Sequence, residues 1–383
     1  MKIDDFTLEN WLNPACDSEK NKVYLGGSCV SPMTVRELFD VIGEDMDSFL
    51  KKIPDLSLAY PYFTGTPLCR EGVAGLYRKV EPEDVVLVHG GTGANDTVVQ
   101  TLLEPGDSII SIVPNYQQFV SIPKSIGVEV REVHLKPEEG YRLDLDEVRD
   151  AVSENTKAIM FTNPNNPTGA LLPPDVMEEM TGIAKDAGCW IVCDEMYRGL
   201  KEGYNPSFTD YYDKTIVTAS SSKIFSMAGL RVGWIVCRDP EMRWNLFNRR
   251  SYNSICGGVF DEWLFGIALQ HKDKIFERSR GIVNRNKKII DEWVERQPLV
   301  HQYAEGWATT YLIHYDLDVG AEKFCDDLLD QKGVLVCHGD CFQMPHTFRI
   351  TLSSDVETLK EGLRLIDEYM QELIAGGVPI LGR

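Results

Sequence analysis

Short apolar runs alternate with helical patterns from residue 85 onward, and this alternation is the feature that most constrains the fold. Each run is only a few residues long and is separated from the next by a turn or a helical segment. The runs lie at Val85–His89, Ser108–Val113, Gly127–Leu135, Ala158–Thr162, Cys189–Cys193, Thr215–Ala219 and Val232–Cys237. Strands that are buried on both faces have such continuous apolar sequences, as in parallel sheets covered by helices. The sequence therefore predicts an α/β fold with a mainly parallel, helix-covered sheet.

The chain of 383 residues is too long for one ordinary domain and suits a large and a small one. Beyond the parallel pattern, a long helical segment at Lys274–Gln297 is followed by strands around Ala308–His314 and His346–Leu352. This mixture is typical of an α+β domain, to which the N-terminal segment is expected to belong. We predict a large domain over 46–280 and a smaller, discontinuous domain over 1–45 and 281–383.

The charge and the cysteine pattern exclude several classes of function. The formal net charge is −20, which disfavours nucleic acids and anionic membrane surfaces as partners. Neither a signal-peptide pattern nor an apolar run long enough for a membrane span is visible. The ten cysteines are scattered without a C-x-x-C pair, and the seven histidines show no metal-ligand spacing. We expect a cytoplasmic protein with reduced cysteines and no metal site.

Polar residues follow five of the predicted strands directly. They are Gly90-Gly91-Thr92, Pro114-Asn115-Tyr116, Asn163–Gly169, Asp194–Tyr197 and Ser220–Lys223. In open α/β sheets, ligands bind beyond the carboxyl ends of the strands. The five groups are therefore expected to converge on one site.

Gly90–Asn95 allows two interpretations. It could be a plain glycine turn before a helix over Thr97–Leu103, or a phosphate site made by backbone N–H groups at the start of that helix. A dinucleotide fingerprint is disfavoured, because Asp96 stands where the third glycine of G-x-G-x-x-G belongs.

Lys223, in S-S-S-K, could be an exposed charge or an amine held for imine chemistry. Asp194 could cap a turn or could be a partly buried carboxylate that needs a cationic partner. Taken together, the strand-end residues match a phosphate-bearing aldehyde cofactor. Lys223 would form an imine, Asp194 would face a ring nitrogen, Tyr197 would supply a phenol and Tyr116 an aromatic face. The phosphate donors would include Ser220, Ser222 and Arg231.

The chain resembles the fold-type I pyridoxal-phosphate enzymes, specifically the class I/II aminotransferases. Five motifs carry this resemblance in the family's order, over nearly the whole length. They are Y-P-Y-F-T-G-T-P-L-C-R-E-G-V at 60–73, P-G-D…P-N-Y at 105–116, N-P-N-N-P-T-G at 163–169, D-E-M-Y at 194–197 and S-S-S-K…G-L-R-V-G-W at 220–234. The resemblance implies pyridoxal 5′-phosphate, amino acid and 2-oxo acid substrates, and a homodimer.

The resemblance also implies a role for each site residue. Lys223 would form the aldimine and move the substrate's α-proton, while Asp194 would pair with the pyridine nitrogen. Tyr197 and Asn166 would bind the ring hydroxyl, and Tyr116 would stack on the ring. The phosphate would be held by Gly91, Thr92, Ser220, Ser222 and Arg231, and by Tyr60 of the neighbouring subunit. The substrate-binding residues would be Arg349, Asn166 and Ser28.

One segment departs from the family pattern, and other outcomes of the chemistry remain open. Many relatives have L-x-x-G-x-P near the N-terminus, but this chain has L-G-G-S-C-V-S-P at 25–32. In the family this region lies over the substrate, so we expect specificity around Gly26–Val30 and Arg349. Short stretches are also similar to capreomycidine synthase. Elimination, cyclisation or oxidation is therefore an alternative to ping-pong transamination, and a catalytically inactive regulatory module is a third possibility.

Overall fold

The computed structural model describes residues 2–382, which form a succession of helices and short strands. The α-helices are Thr7–Asp17 (α1), Val35–Ile42 (α2), Met46–Leu50 (α3), Pro67–Ala74 (α4), Gly90–Leu102 (α5), Gln118–Ser125 (α6), Leu145–Ala151 (α7), Pro174–Ala187 (α8), Pro240–Asn253 (α9), Val259–Gln270 (α10), Lys272–Arg296 (α11), Ala321–Lys332 (α12) and Val356–Ala375 (α13). The strands are Val23–Tyr24 (β1), Val85–His89 (β2), Ser108–Val113 (β3), Glu129–His134 (β4), Thr156–Thr162 (β5), Trp190–Asp194 (β6), Thr215–Ser220 (β7), Val232–Cys237 (β8), Val300–His301 (β9), Thr310–Tyr315 (β10), Val334–Leu335 (β11), Cys337–His338 (β12) and Thr347–Thr351 (β13).

The seven predicted apolar strands form one sheet in the order β2-β8-β7-β6-β5-β3-β4. The pairs among β4, β3, β5, β6 and β7 are parallel, whereas β8 runs antiparallel to both β7 and β2. The prediction of a mainly parallel α/β sheet is therefore confirmed.

Burial on both faces explains why these strands have continuous apolar sequences. In β5, Ile159 and Phe161 pack into one hydrophobic cluster, and their neighbours Ala158 and Met160 pack into another. Successive side chains of a strand point to opposite faces, so the two clusters lie on opposite sides of the sheet. Because both faces are covered, polar side chains that belong to the sheet are found where its strands end.

The N-terminal segment pairs with the C-terminal part of the chain. β1 runs parallel to β11, and the four-stranded antiparallel sheet has the order β12-β13-β10-β9. Beyond β1, the Leu25 carbonyl accepts a hydrogen bond from the Thr351 N–H at 2.8 Å. These pairings support the predicted discontinuous small domain, whose boundaries stay a prediction.

The helix after β2 begins earlier than the sequence suggested. The predicted helix covered Thr97–Leu103, but α5 begins at Gly90, directly after β2. Gly90 has a φ of 70°, a left-handed conformation that glycine adopts without steric cost. The chain can therefore turn from strand to helix within one residue, so the first-turn N–H groups of α5 lie at the sheet edge.

Within residues 2–382, no helix has both the length and the apolar character that crossing a membrane requires.

Candidate active site

A cavity of about 570 Å³ opens at the carboxyl ends of the parallel strands. All five polar strand-end groups contribute to its wall, so the predicted convergence is confirmed. The cavity is lined by the sequence-predicted residues Ser28, Gly91, Thr92, Tyr116, Asn166, Asp194, Tyr197, Ser220, Ser222, Lys223, Arg231 and Arg349. Tyr60 is the exception, since it lies outside the cavity and 73% of its surface is exposed.

Lys223 follows the end of β7 and is half-buried in the cavity wall. Its Nζ donates a hydrogen bond to Ser28 Oγ at 2.8 Å, and its carbonyl accepts one from the Val30 N–H at 3.0 Å. Burial lowers the pKa of the Lys223 ammonium, but the acidic groups of Cys29 and Tyr197 outweigh it and leave the pKa raised. A raised pKa keeps the Lys223 side chain in its ammonium form, as the ordinary pKa of lysine also does.

Asp194, the last residue of β6, is a buried carboxylate at the floor of the cavity. Its Oδ2 accepts a hydrogen bond from Asn95 Nδ2 at 3.1 Å, and its Oδ1 accepts one from the Met196 N–H at 2.9 Å. Burial raises the pKa of Asp194 to about 6, although Asn95, Met196 and Lys223 act in the opposite direction. The carboxylate therefore lacks the close cationic partner that would offset its desolvation.

The residues around the N-terminus of α5 form a group of anion donors. The Ser222 N–H donates to Ser220 Oγ at 3.2 Å, and within the described part of the chain the Ser220 hydroxyl has only the Met196 thioether as an acceptor, at 3.1 Å. A Cβ added to Gly90 would collide with the Arg231 guanidinium, so the glycine lets this cation approach the helix end. Backbone N–H groups, hydroxyls and a guanidinium at a helix N-terminus form a suitable site for phosphate.

Arg349, on β13, is only 2% exposed. Its Nη1 donates to Asn166 Oδ1 at 3.1 Å and its Nη2 donates to the Gly26 carbonyl at 2.8 Å, while its buried Nε has no hydrogen-bond partner. No carboxylate of residues 2–382 lies within ion-pairing distance of it. A buried guanidinium without a counter-ion is suited to bind an external anion.

Tyr116 is held in the upper wall by the N-terminal helix α1. Its hydroxyl donates to Glu9 Oε1 at 2.7 Å, and its ring centroid lies 5.0 Å from that of Phe6. Burial raises the pKa of the Tyr116 phenol, and the charge of Glu9 raises it further. Tyr116 therefore stays a neutral hydrogen-bond donor, with its aromatic surface in the cavity wall.

Comparison with known proteins assigns the chain to a family. The family model described as "Aminotransferase class I and II" matches residues 52–366. The chain belongs to this family. The predicted membership of the class I/II aminotransferases is thus confirmed. The chain is a pyridoxal-phosphate-dependent aminotransferase.

Individual relatives agree with this assignment. The aminotransferase is 26% identical to the aspartate aminotransferase of Thermotoga maritima, over 79% of this chain and 80% of the relative. It is 28% identical to the arginine–pyruvate transaminase of Pseudomonas aeruginosa, over 82% of this chain and 83% of the relative. Among solved structures, a PLP-dependent aminotransferase from Streptococcus suis superposes with a TM-score of 0.93 and 36% identity, covering 97% of this chain and 99% of that one.

The residues present fit pyridoxal phosphate. Asp194 is a buried carboxylate without a close cationic partner, as a site for a protonated ring nitrogen requires. The anion donors at the start of α5 suit the phosphate, and Lys223 supplies the primary amine. These three kinds of group border the same cavity.

Sequence reasoning missed two residues of the aminotransferase site. Asn95 holds Asp194 and is itself fixed by Thr218, whose hydroxyl donates to Asn95 Oδ1 at 2.6 Å. Its place one turn after Gly91 could have revealed it, once the helix was known to begin at Gly90. Glu9 gave no signal, because its role requires α1 to fold over the cavity.

The raised pKa of Asp194 predicts how the cofactor-free aminotransferase responds to pH. The unfolded carboxyl ionises near pH 4, whereas the folded one stays protonated up to about pH 6. The folded state binds the extra proton in this window, so stability should fall as the pH rises from about 4 to about 6, by up to roughly 3 kcal/mol from this group. Melting temperatures of the wild type and of Asp194→Asn measure the effect.

Asp194→Asn should lose less stability than the wild type across this pH window, since its amide does not titrate. The exposed Asp55→Asn serves as the matched control and should follow the wild type. Parallel curves for the wild type and Asp194→Asn would show that Asp194 is already ionised in the folded chain.

Proposed function

We propose that this aminotransferase exchanges an α-amino group between an amino acid and a 2-oxo acid in two ping-pong half-reactions centred on Lys223. The observation that carries the proposal is the placement of Arg349. This buried guanidinium without a carboxylate partner borders the cavity that also contains Lys223. Both substrates carry an α-carboxylate, so one arginine serves both half-reactions.

Arg349 would bind the α-carboxylate and thereby orient the reacting carbon. Its planar guanidinium can donate two parallel hydrogen bonds to a carboxylate. Asn166 and the Gly26 carbonyl already fix the guanidinium through its two terminal nitrogens. The substrate would therefore meet a preorganised group, which reduces the entropic cost of orientation.

Lys223 would take up the α-proton and return it. Ser28 holds the Lys223 amine at 2.8 Å, which limits its positions in the cavity. When bound, pyridoxal phosphate supplies the aldehyde that carries the amino group and the ring that withdraws electrons from the α-carbon. Asp194 would sustain that withdrawal as the charged partner of the ring nitrogen, and Asn95 would keep its carboxylate oriented.

The remaining predicted residues would anchor the cofactor. Gly91, Thr92, Ser220, Ser222 and Arg231 would bind the phosphate, because they gather donors at the start of α5. Tyr116 would cover the ring face, and Tyr197 and Asn166 would bind the ring hydroxyl.

The names of the relatives do not decide the amino donor. They include aminotransferases of aspartate, nicotianamine, and arginine with pyruvate, which differ in size and charge of the side chain. The similarity to capreomycidine synthase stays a prediction, and no observation on residues 2–382 favours elimination, cyclisation or oxidation over transamination.

Replacing Lys223 by alanine tests the central assignment. Without the amine, the visible absorbance of the bound cofactor should differ from that of the wild type. Keto acid formation from amino donors with 2-oxoglutarate should fall about 10²–10⁴-fold, the usual contribution of a positioned acid–base group. The exposed Lys157→Ala is the control. Turnover or a spectrum equal to that of the wild type would contradict the role of Lys223.

Arg349→Gln should lower kcat/KM for amino acids about a hundredfold or more, since it removes the charge that pairs with the α-carboxylate of the bound substrate. The same donors should be compared with their decarboxylated amines in steady-state assays. The variant should lose most of the preference for the amino acid over the amine. Arg296→Gln, at an exposed position in α11, is the matched control. An unchanged preference would place the carboxylate elsewhere.

The assembly is proposed to be a homodimer, in which Tyr60 reaches the phosphate of the partner's site. Large hydrophobic side chains around Tyr60 are exposed, namely Leu58, Tyr62 and Phe63. Such a patch is typical of an interaction surface. Sedimentation of the purified aminotransferase should therefore give about twice the chain mass of 43.3 kDa. Sedimentation as a monomer at catalytic concentrations would contradict the arrangement.

A cytoplasmic location is proposed as well. The ten cysteines are free thiols, and seven of them are buried. Free thiols persist in reducing compartments.

A further inference from the structure

Glu9 is an acidic side chain of the active-site cavity that the proposed transamination chemistry does not use. It lies on α1 and borders the cavity together with Tyr116. Its Oε1 accepts the Tyr116 hydroxyl at 2.7 Å, which fixes the carboxylate. Its Oε2 has no hydrogen-bond or ion-pair partner among the residues that the structure describes. One carboxylate oxygen thus remains available to a ligand.

The cations that border the cavity already have assigned partners. They are Lys223, Arg231 and Arg349. In the proposed function Lys223 carries the amine chemistry, Arg231 faces the phosphate and Arg349 binds the α-carboxylate. No further cation of residues 2–382 lines the cavity to receive a second carboxylate of the substrate. Glu9 and Asp194 are its acids, and Asp194 serves the cofactor.

The wall near Glu9 is apolar. Leu8 and Leu12 come from α1 itself and Phe6 directly precedes it, with the Phe6 ring packed against Tyr116. An apolar wall with one carboxylate suits a side chain made of methylene groups with a cation at the end. A guanidinium can donate two hydrogen bonds to such a group, and an ammonium can donate to it as a point charge.

We propose that Glu9 binds the cationic end of the amino donor's side chain, so that this aminotransferase prefers basic amino acids. The inference rests on the proposed function and adds the substrate class to it. A basic side chain gains a charged partner at Glu9. An acidic side chain would meet a like charge there, and a neutral one would leave the carboxylate without a counter-ion.

Arginine and citrulline form the substrate pair that tests this proposal. Citrulline has the same length and shape, but a neutral urea replaces the guanidinium. The holoenzyme should have a higher kcat/KM for arginine than for citrulline, with pyruvate as acceptor because pyruvate has no second carboxylate. Glu9→Gln keeps an oxygen that can accept the Tyr116 hydroxyl and removes only the charge. The arginine-to-citrulline ratio should fall about tenfold to a hundredfold in this variant.

The matched control is Asp17→Asn, which removes one negative charge from the other end of α1, at an exposed position outside the cavity. It should keep the ratio of the wild type. If Asp17→Asn lowers the arginine-to-citrulline ratio as much as Glu9→Gln does, the overall negative charge of the protein causes the preference and the proposal fails.

A second measurement does not depend on turnover. 5-Guanidinopentanoate and 5-ureidopentanoate lack the α-amino group, and they differ in charge as arginine and citrulline do. Calorimetric titration of the holoenzyme should show tighter binding of the guanidino acid, and Glu9→Gln should reduce this difference. Equal affinities in the wild type, or a difference that survives in Glu9→Gln, would overturn the proposal.

The outcomes separate this inference from the proposed function. If neutral or dicarboxylic donors are converted faster than arginine, lysine and ornithine, transamination stands and the role of Glu9 is wrong. If no amino donor yields a keto acid while the guanidino acid still binds through Glu9, transamination fails and the binding role stands.

Discussion

The segment 25–30 connects the two charged groups on which the site depends. Ser28 accepts a hydrogen bond from the Lys223 amine, and the Gly26 carbonyl accepts one from the Arg349 guanidinium. Lys223 follows a strand of the parallel sheet, whereas Arg349 lies on a strand of the smaller antiparallel sheet. One short segment of chain thus contacts both the Lys223 amine and the Arg349 guanidinium, which two different sheets carry.

The segment is held at both of its ends. At one end the Leu25 N–H donates to the Leu335 carbonyl and the Leu25 carbonyl accepts from the Thr351 N–H; at the other end the Val30 N–H donates to the Lys223 carbonyl. Between these ends the chain must approach a lysine and an arginine closely. The assignment of this segment to specificity stays a prediction, and the contacts that the structure shows are with Lys223 and Arg349.

Much of the fold and of the site could be predicted from sequence, because both depend on the buried parallel sheet. Continuous apolar runs indicate strands covered on both faces, and polar residues at their ends must then face one edge. This argument found Asp194 and Lys223, but it could not find Glu9, which reaches the cavity only through the packing of α1.

The attachment of α1 has a consequence for how such an enzyme can diversify. Leu8 and Leu12 pack into a small hydrophobic cluster of their own, with residues such as Leu335 and Phe342, and not into the main core. Asp194, Lys223 and the start of α5 lie outside that cluster, whereas Tyr116 packs against it and donates a hydrogen bond to Glu9. Substitutions at exposed positions of α1 should therefore cost little folding free energy, whereas changes at Leu8, Leu12 or Glu9 would disturb buried packing or the hydrogen bond of Tyr116. One wall of the cavity, formed by α1, thus belongs to a different packing unit from the strand ends that carry Asp194 and Lys223, so the two walls can change separately within one chain.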